Sequence, residues 1–286
     1  MTEPLTILWT GVPGTGKSTC LYSMPGVENH IWGSNEEDTA KNFNGRADIL
    51  PPIKFKWYDC LDEKDKDEMA DDKTTDLRID QIKQKGMSSN IVRYKKYLYK
   101  LKRQLEKGER QELKSIGLDN LTPFVDEFKA YINEKYKADI WTREGNWDGR
   151  KFWPKFAEEL DGLLRMITDL PINVGVTCHI QLSLDEENTA KAMDKDANKL
   201  PREWLPNIDG KMRYSVGGIF SYAFFLWAEE SAGQATKYLA KLEADENKIG
   251  LAKARFQPFS NPRRIEIPKN RFYEFLMENI NKGGVK

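Results

Sequence analysis

The chain has 286 residues, 45 Lys+Arg against 45 Asp+Glu for a formal net charge of +0, with 39% hydrophobic and 31% charged residues. That balance excludes a global field that would draw in nucleic acid, so any such contact has to come from local basic patches. There is no apolar run of membrane-spanning length and no secretory apolar region, and Cys20, Cys60 and Cys178 lack metal-ligand spacing, which points to a soluble protein of the reducing cytoplasm with no membrane partner.

Near the N-terminus, the apolar strand candidate Leu5-Thr6-Ile7-Leu8-Trp9 runs directly into Gly11-Val12-Pro13-Gly14-Thr15-Gly16-Lys17-Ser18. This is the G-x-x-x-x-G-K-[ST] spacing of a P-loop in the context it requires. The glycines let successive backbone N–H groups turn inward onto phosphate oxygens, Lys17 reaches the β- and γ-phosphates, and the Ser18 hydroxyl ligates Mg²⁺. Gly11 to Thr19 is therefore the expected binding segment for ATP with Mg²⁺. A short helix over Lys17 to Ser23, stopped by Met24-Pro25-Gly26, should follow.

Second and third strands are expected at His30 to Ser34 and Ile53 to Tyr58. Acids at the ends of such strands lie on the ligand edge of an open α/β sheet. Glu36, Glu37 and Asp59 are thus candidates for orienting the attacking water, with Glu36 first because it follows its strand end most closely. From Cys60 to Asp80 the chain is acidic and poor in apolar residues, which reads as a mobile connector or a weakly ordered surface segment. Ile91, Tyr94, Leu98, Leu101 and Leu105 then follow helical spacing within a run rich in lysine and arginine. The expectation is a helix packed on the sheet, and its basic face is either simply solvated or a seat for nucleic acid.

Leu113 to Asp119 reads as a strand ending in an aspartate that stands beside Ser18 as the second Mg²⁺-side group, or alternatively caps the next helix. Helices are expected from Phe124 to Lys137 and Trp153 to Thr168, and a strand from Pro171 to His179. Strands alternating with helices up to this point predict an α/β fold with a mostly parallel sheet covered on both faces. His179, at that strand's end, is a candidate γ-phosphate sensor or a satisfied core histidine. Ser183 to Arg213 is a long polar loop or hairpin carrying Lys191, Lys195, Lys199, Arg202, Lys211 and Arg213; loops this long are commonly functional. A buried segment over Gly217 to Trp227 precedes a late antiparallel pair, Thr236 to Leu242 and Ile249 to Phe256. One core is expected over residues 1–286, with a charged insertion at about 60–108 and a basic loop at about 183–213.

The ordered set Gly11 to Ser18, Asp119, Trp147-Asp148-Gly149, His179, Pro206 to Lys211 and Lys253 to Phe256 resembles the phage-encoded AAA-type nucleotide-binding proteins of the RecA superfamily, including Sak-type single-strand annealing ATPases. Asn120 and Ser221 depart from that pattern. The resemblance implies a RecA-like P-loop core that hydrolyses ATP, acts on single-stranded DNA in the host cytoplasm, and self-associates as a ring or filament, with a single-strand-binding protein as a further partner. DNA would be held by Lys191, Lys195, Lys199, Arg202, Lys211 and Arg213. In RecA-like sites a cation from the neighbouring subunit completes the centre, and Lys253 and Arg255, alternating along a late strand, are the candidates, against a merely solvated edge. An ATP-dependent motor or assembly factor with a protein partner is the alternative.

Overall fold

The computed structural model describes residues 3–32, 49–142, 144–184, 202–230, 235–243, 252–254, 257–268 and 270–282. Its centre is a ten-stranded sheet in the order β10-β8-β7-β1-β5-β4-β2-β3, with β6 attached to β5 and β9 to β7. The strands are β1 (Thr6–Gly11), β2 (Val27–Trp32), β3 (Ile53–Phe55), β4 (Ser115–Asp119), β5 (Asn173–Leu184), β6 (Arg202–Pro206), β7 (Tyr222–Glu229), β8 (Lys237–Lys241), β9 (Lys253–Ala254) and β10 (Ile265–Glu266). Pairing is parallel from β7 through β1, β5, β4 and β2 to β3, and antiparallel at β8, β10, β9 and β6. This is the α/β arrangement with a mostly parallel sheet that the sequence predicts for a P-loop fold, with late antiparallel strands.

All six residues of β1 are buried, as a central parallel strand covered on both faces requires. Because side chains alternate across a strand, Leu8 enters one core while Ile7 and Trp9 enter the other. The first core receives α3 (Asp76–Glu106), α4 (Leu121–Lys135) and α6 (Gly149–Thr168) through Ile91, Tyr94, Phe124, Phe128 and Phe156. The second receives α1 (Lys17–Tyr22) and α8 (Phe272–Asn281) through Cys20, Leu21, Phe272 and Leu276. Short helices α5 (Lys137–Ile140) and α7 (Met212–Ser215) fill connections.

Three expectations need correction. The acidic stretch after Cys60 is not a mobile connector: it forms α2 (Glu63–Ala70) and the first turns of α3. Its charges are matched to one another rather than merely solvated. Arg78 Nε meets Glu68 at 2.6 Å and Lys85 meets Asp62 at 3.1 Å, while Asp62 and Thr75 cap their helices by accepting from the N–H groups of Asp65 and Arg78. Second, β5 does not end at His179. Its parallel pairing with β1 stops at Gly11 opposite His179, and the strand continues to Leu184 as a hairpin with β6. Third, β8 and β9 do not pair with each other; both are antiparallel to β7, β9 beside Tyr222 and Ala223, β8 beside Phe225 to Glu229.

One buried acid lies between helices of the first core. The Asn90 side-chain amide of α3 donates to Glu127 Oε2 of α4 at 2.8 Å, and burial pushes the Glu127 carboxyl from its ordinary 4.5 up to about 8, with Asp126 adding to the rise. The folded chain therefore holds a proton that the unfolded chain has already released. The stability this contributes is fully present below about pH 4.5 and is lost as pH rises through about 8. We expect Glu127→Gln to be more stable than the wild type by of order 3 kcal/mol at pH 9 and nearly equal to it at pH 5. Denaturant unfolding of both proteins at the two pH values measures this; a constant difference between them would refute it.

Candidate nucleotide site

The loop after β1 is built by glycines where other residues do not fit. A Cβ on Gly11 would lie 2.6 Å from Thr15 Oγ1 and 2.7 Å from the Leu226 carbonyl oxygen, so the turn can pack against β7 only without one. Gly14 and Gly16 sit at φ 82° and 85°, the left-handed region that glycine enters freely. The Thr15 hydroxyl donates to the Val12 carbonyl at 2.8 Å, and Lys17 Nζ donates to the carbonyls of Gly11 at 3.0 Å and Val12 at 2.8 Å. Lys17 is nearly buried at 6% exposure, so its ammonium lies against the loop interior rather than in solvent.

The acidic side of the site comes from β4, two strands from β1 with β5 between them. The Ser18 hydroxyl donates to Asp119 Oδ1 at 3.3 Å, bringing together the pair expected from sequence. Two residues that the sequence reading missed complete the arrangement. Thr177 of β5 donates to Asp119 Oδ1 at 2.5 Å and Asn29 of β2 donates to Oδ2 at 3.3 Å. Neighbouring strands on either side therefore hold the carboxylate, which is only 1% exposed. Thr177 was legible in principle: it stands two residues before His179, so both fall on one side of a strand. Asn29 was a polar residue inside an otherwise buried strand. The capping role considered for Asp119 is taken by Asn120, whose side chain accepts from the Thr122 N–H.

His179 lines one cavity with Pro13, Gly14, Gly16, Lys17, Ser18 and Thr19, of about 1200 Å³. Its N–H donates to Thr122 Oγ1 at 3.3 Å and its carbonyl accepts from the Asn207 N–H at 2.7 Å. The neighbouring Cys178 thiol is pushed up to about 12 by burial, which rules it out as a nucleophile at neutral pH.

Other candidates are not brought here. Asp59 is exposed in a turn beyond β3, and β3 lies four strands from β1, about 19 Å at the usual strand spacing. Trp147-Asp148-Gly149 opens α6, with Asp148 accepting from the Arg150 N–H at 3.0 Å. In the hairpin return, Lys211 is exposed, while Arg213 Nε donates to the Gly210 carbonyl at 3.2 Å. Arg202 lies on β6 and Lys253 on β9. Glu36, Glu37, Lys191, Lys195, Lys199 and Arg255 lie outside the described residues.

The donor set suits a hard cation carried in with a phosphate. Ser18 and Asp119 offer one hydroxyl and one carboxylate, and no group of three or more His, Cys, Asp or Glu able to hold a metal occurs among the described residues. Mg²⁺ is characteristically held by one or two protein oxygens plus substrate phosphates and water. A Cβ on Gly14 would meet nothing within 4 Å, so the loop's open side has room for a phosphate.

No curated protein matches the chain. Among solved structures, a KaiC-like protein from the hyperthermophilic archaeon Pyrococcus horikoshii OT3 aligns over 94% of this chain and 92% of its own, at 14% identity and a TM-score of 0.36, a likeness too slight to carry functional argument. A family model described as an AAA domain matches residues 3–256. The chain belongs to the AAA domain family.

Proposed function

We propose that the protein is a Mg²⁺-dependent ATP hydrolase that acts on single-stranded DNA. The observation that carries the hydrolase reading is the contact of Ser18 with Asp119 beside a glycine loop whose lysine is folded inward. In this reading the loop N–H groups and Lys17 hold the β- and γ-phosphates, and Lys17 exchanges its carbonyl partners for phosphate oxygens. Mg²⁺ held by Ser18, with Asp119 behind it, offsets the negative charge of the phosphates. Thr177 and Asn29 keep the Asp119 carboxylate from rotating. Glu36 is the proposed water-orienting acid, and Lys253 or Arg255 the cation that a neighbouring copy supplies.

His179 links this centre to the hairpin. Its carbonyl is bonded to Asn207, and Asp209 two residues on is ion-paired to Lys129 of α4. In this reading a change at the γ-phosphate reaches the segment from Asn207 to Arg213 through the His179 carbonyl. DNA binding through that hairpin depends on salt through counterion release. Replacing Lys191, Lys195 and Lys199 by alanine is expected to flatten the slope of log affinity against log salt by about two units for a single strand, and to remove stimulation of ATP hydrolysis by a thymidine oligonucleotide.

A second basic surface makes this test specific. Lys96, Lys100, Arg103 and, just past the end of α3, Lys107 follow one another at helical spacing, exposed and with no ion pair among the described residues, beside Tyr99 at 57% exposure. Together they wall a hollow of about 450 Å³. An unchanged slope in the hairpin variant, with loss on replacing these four instead, would move the DNA site to α3. Absence of any stimulation by DNA would favour a protein partner.

A further inference from the structure

The cavity beside the P-loop has two walls of different origin. One is the loop from Pro13 to Thr19; the other includes Tyr238 at the start of β8, followed by Ile267, Pro268, Asn270 and Phe275. The last four lie beyond residue 256, where the family match ends, so part of this wall comes from the C-terminal elements that follow the match. The P-loop groups suited to phosphate stand on the loop side, with Thr236 and Lys237 on the other wall, and the rest of a nucleotide must fill the remaining length of a space of about 1200 Å³. On that side the cavity offers apolar surface including the Phe275 ring, the polar or charged Thr236, Lys237, Glu266 and Asn270, and one ring that rests against the loop.

The ring is that of Tyr238. It is 41% exposed, and its Cδ1 lies 3.6 Å from the position a Cβ on Gly16 would take, so it rests against the backbone just outside the phosphate-binding turn. Its strand is held on both edges: Tyr238 stands opposite Ala228 in the β7–β8 register, and its carbonyl accepts from the Ile267 N–H at 2.9 Å. A large flat side chain held open to solvent, in a cavity whose other end binds phosphate, needs a flat partner to cover it.

We propose that Tyr238 is the platform on which the base of the bound nucleoside triphosphate stacks, with Ile267 and Pro268 closing the base subsite and Asn270 providing a polar group beside them. The larger ring system of a purine covers more of the tyrosine than a pyrimidine does, so the site selects purine nucleotides. This rests on the nucleotide reading of the P-loop, and the test separates the two.

Equilibrium binding of ATP, CTP and inorganic tripolyphosphate is measured, with Mg²⁺, for wild type, Tyr238→Ala, Tyr238→Phe and Lys17→Ala. Loss of one stacked base corresponds to about 1–3 kcal/mol, or about 5- to 150-fold in affinity. Tyr238→Ala should weaken ATP by that factor, bring ATP and CTP to similar affinities, and leave tripolyphosphate unchanged; Tyr238→Phe should behave as wild type. Lys17→Ala should weaken all three ligands. Equal loss of ATP and tripolyphosphate in Tyr238→Ala would show that the ring merely props the loop at Gly16, and unchanged ATP affinity would show that the base lies elsewhere; either overturns the proposal while the P-loop reading stands. A wild-type protein that binds neither ATP nor tripolyphosphate would overturn both.

Discussion

Lys17→Ala is expected to lower ATP turnover about 10³-fold or more while the sheet and its two cores remain folded. One preorganised cationic donor aimed at the transferring phosphoryl group is worth this order of rate, because it acts where negative charge is concentrated and water is thin. The residue's structural role is confined to the loop. Its ammonium satisfies the carbonyls of Gly11 and Val12, so their loss costs about 1 kcal/mol apiece, whereas the β1 core contacts of Ile7, Leu8 and Trp9 are untouched. A near-native circular dichroism spectrum with turnover at background is the expected combination. Turnover within a few-fold of wild type would remove Lys17 from the chemistry.

Asp119→Asn carries the second large effect, and for a reason the structure makes specific. The carboxylate accepts from Ser18, Thr177 and Asn29, and an asparagine amide would turn an N–H group toward one of these donors inside a site that is 1% exposed. A buried mismatch of this kind costs about 1–3 kcal/mol, so the variant should also melt earlier. Turnover should fall about 10²- to 10³-fold and require more Mg²⁺, since a neutral amide neither attracts the cation nor orders its water. Nucleotide binding measured in chelator should change little. If turnover and its Mg²⁺ dependence both survive, the metal is held by other residues.

The parts of this site that could be read from sequence are those that are local in the chain. Gly11 to Ser18 is a continuous segment whose spacing already specifies its backbone, and Asp119 declares itself as an acid closing a short apolar strand. The partners of Asp119 were hidden because they depend on register: Thr177 and Asn29 reach it only once β5 and β2 are seen to flank β4. The second wall was hidden more completely. Tyr238 and Pro268 lie more than 200 residues from Gly16 in the chain, and nothing in their local pattern separates a cavity wall from an ordinary edge strand.

The misreadings have equally physical causes. The low apolar content of the segment after Cys60 predicts weak order only if its charges do no more than solvate it; here Arg78 and Lys85 find acids across the α2–α3 turn. The sequence ends this strand at His179 because the buried run closes there on a polar residue. The strand continues because pairing passes from β1 to β6 at that residue, and a two-stranded hairpin outside the core has no need of apolar side chains on both faces.

The central claim is that Gly11 to Ser18, with Asp119, forms a working Mg²⁺-ATP site. Phosphate release from ATP by the wild-type protein, followed across a Mg²⁺ titration with Lys17→Ala alongside, tests it most directly. The account predicts release that rises from background with Mg²⁺, saturates with ATP, and is absent in Lys17→Ala. Release that is independent of Mg²⁺, or equal in the two proteins, would contradict it.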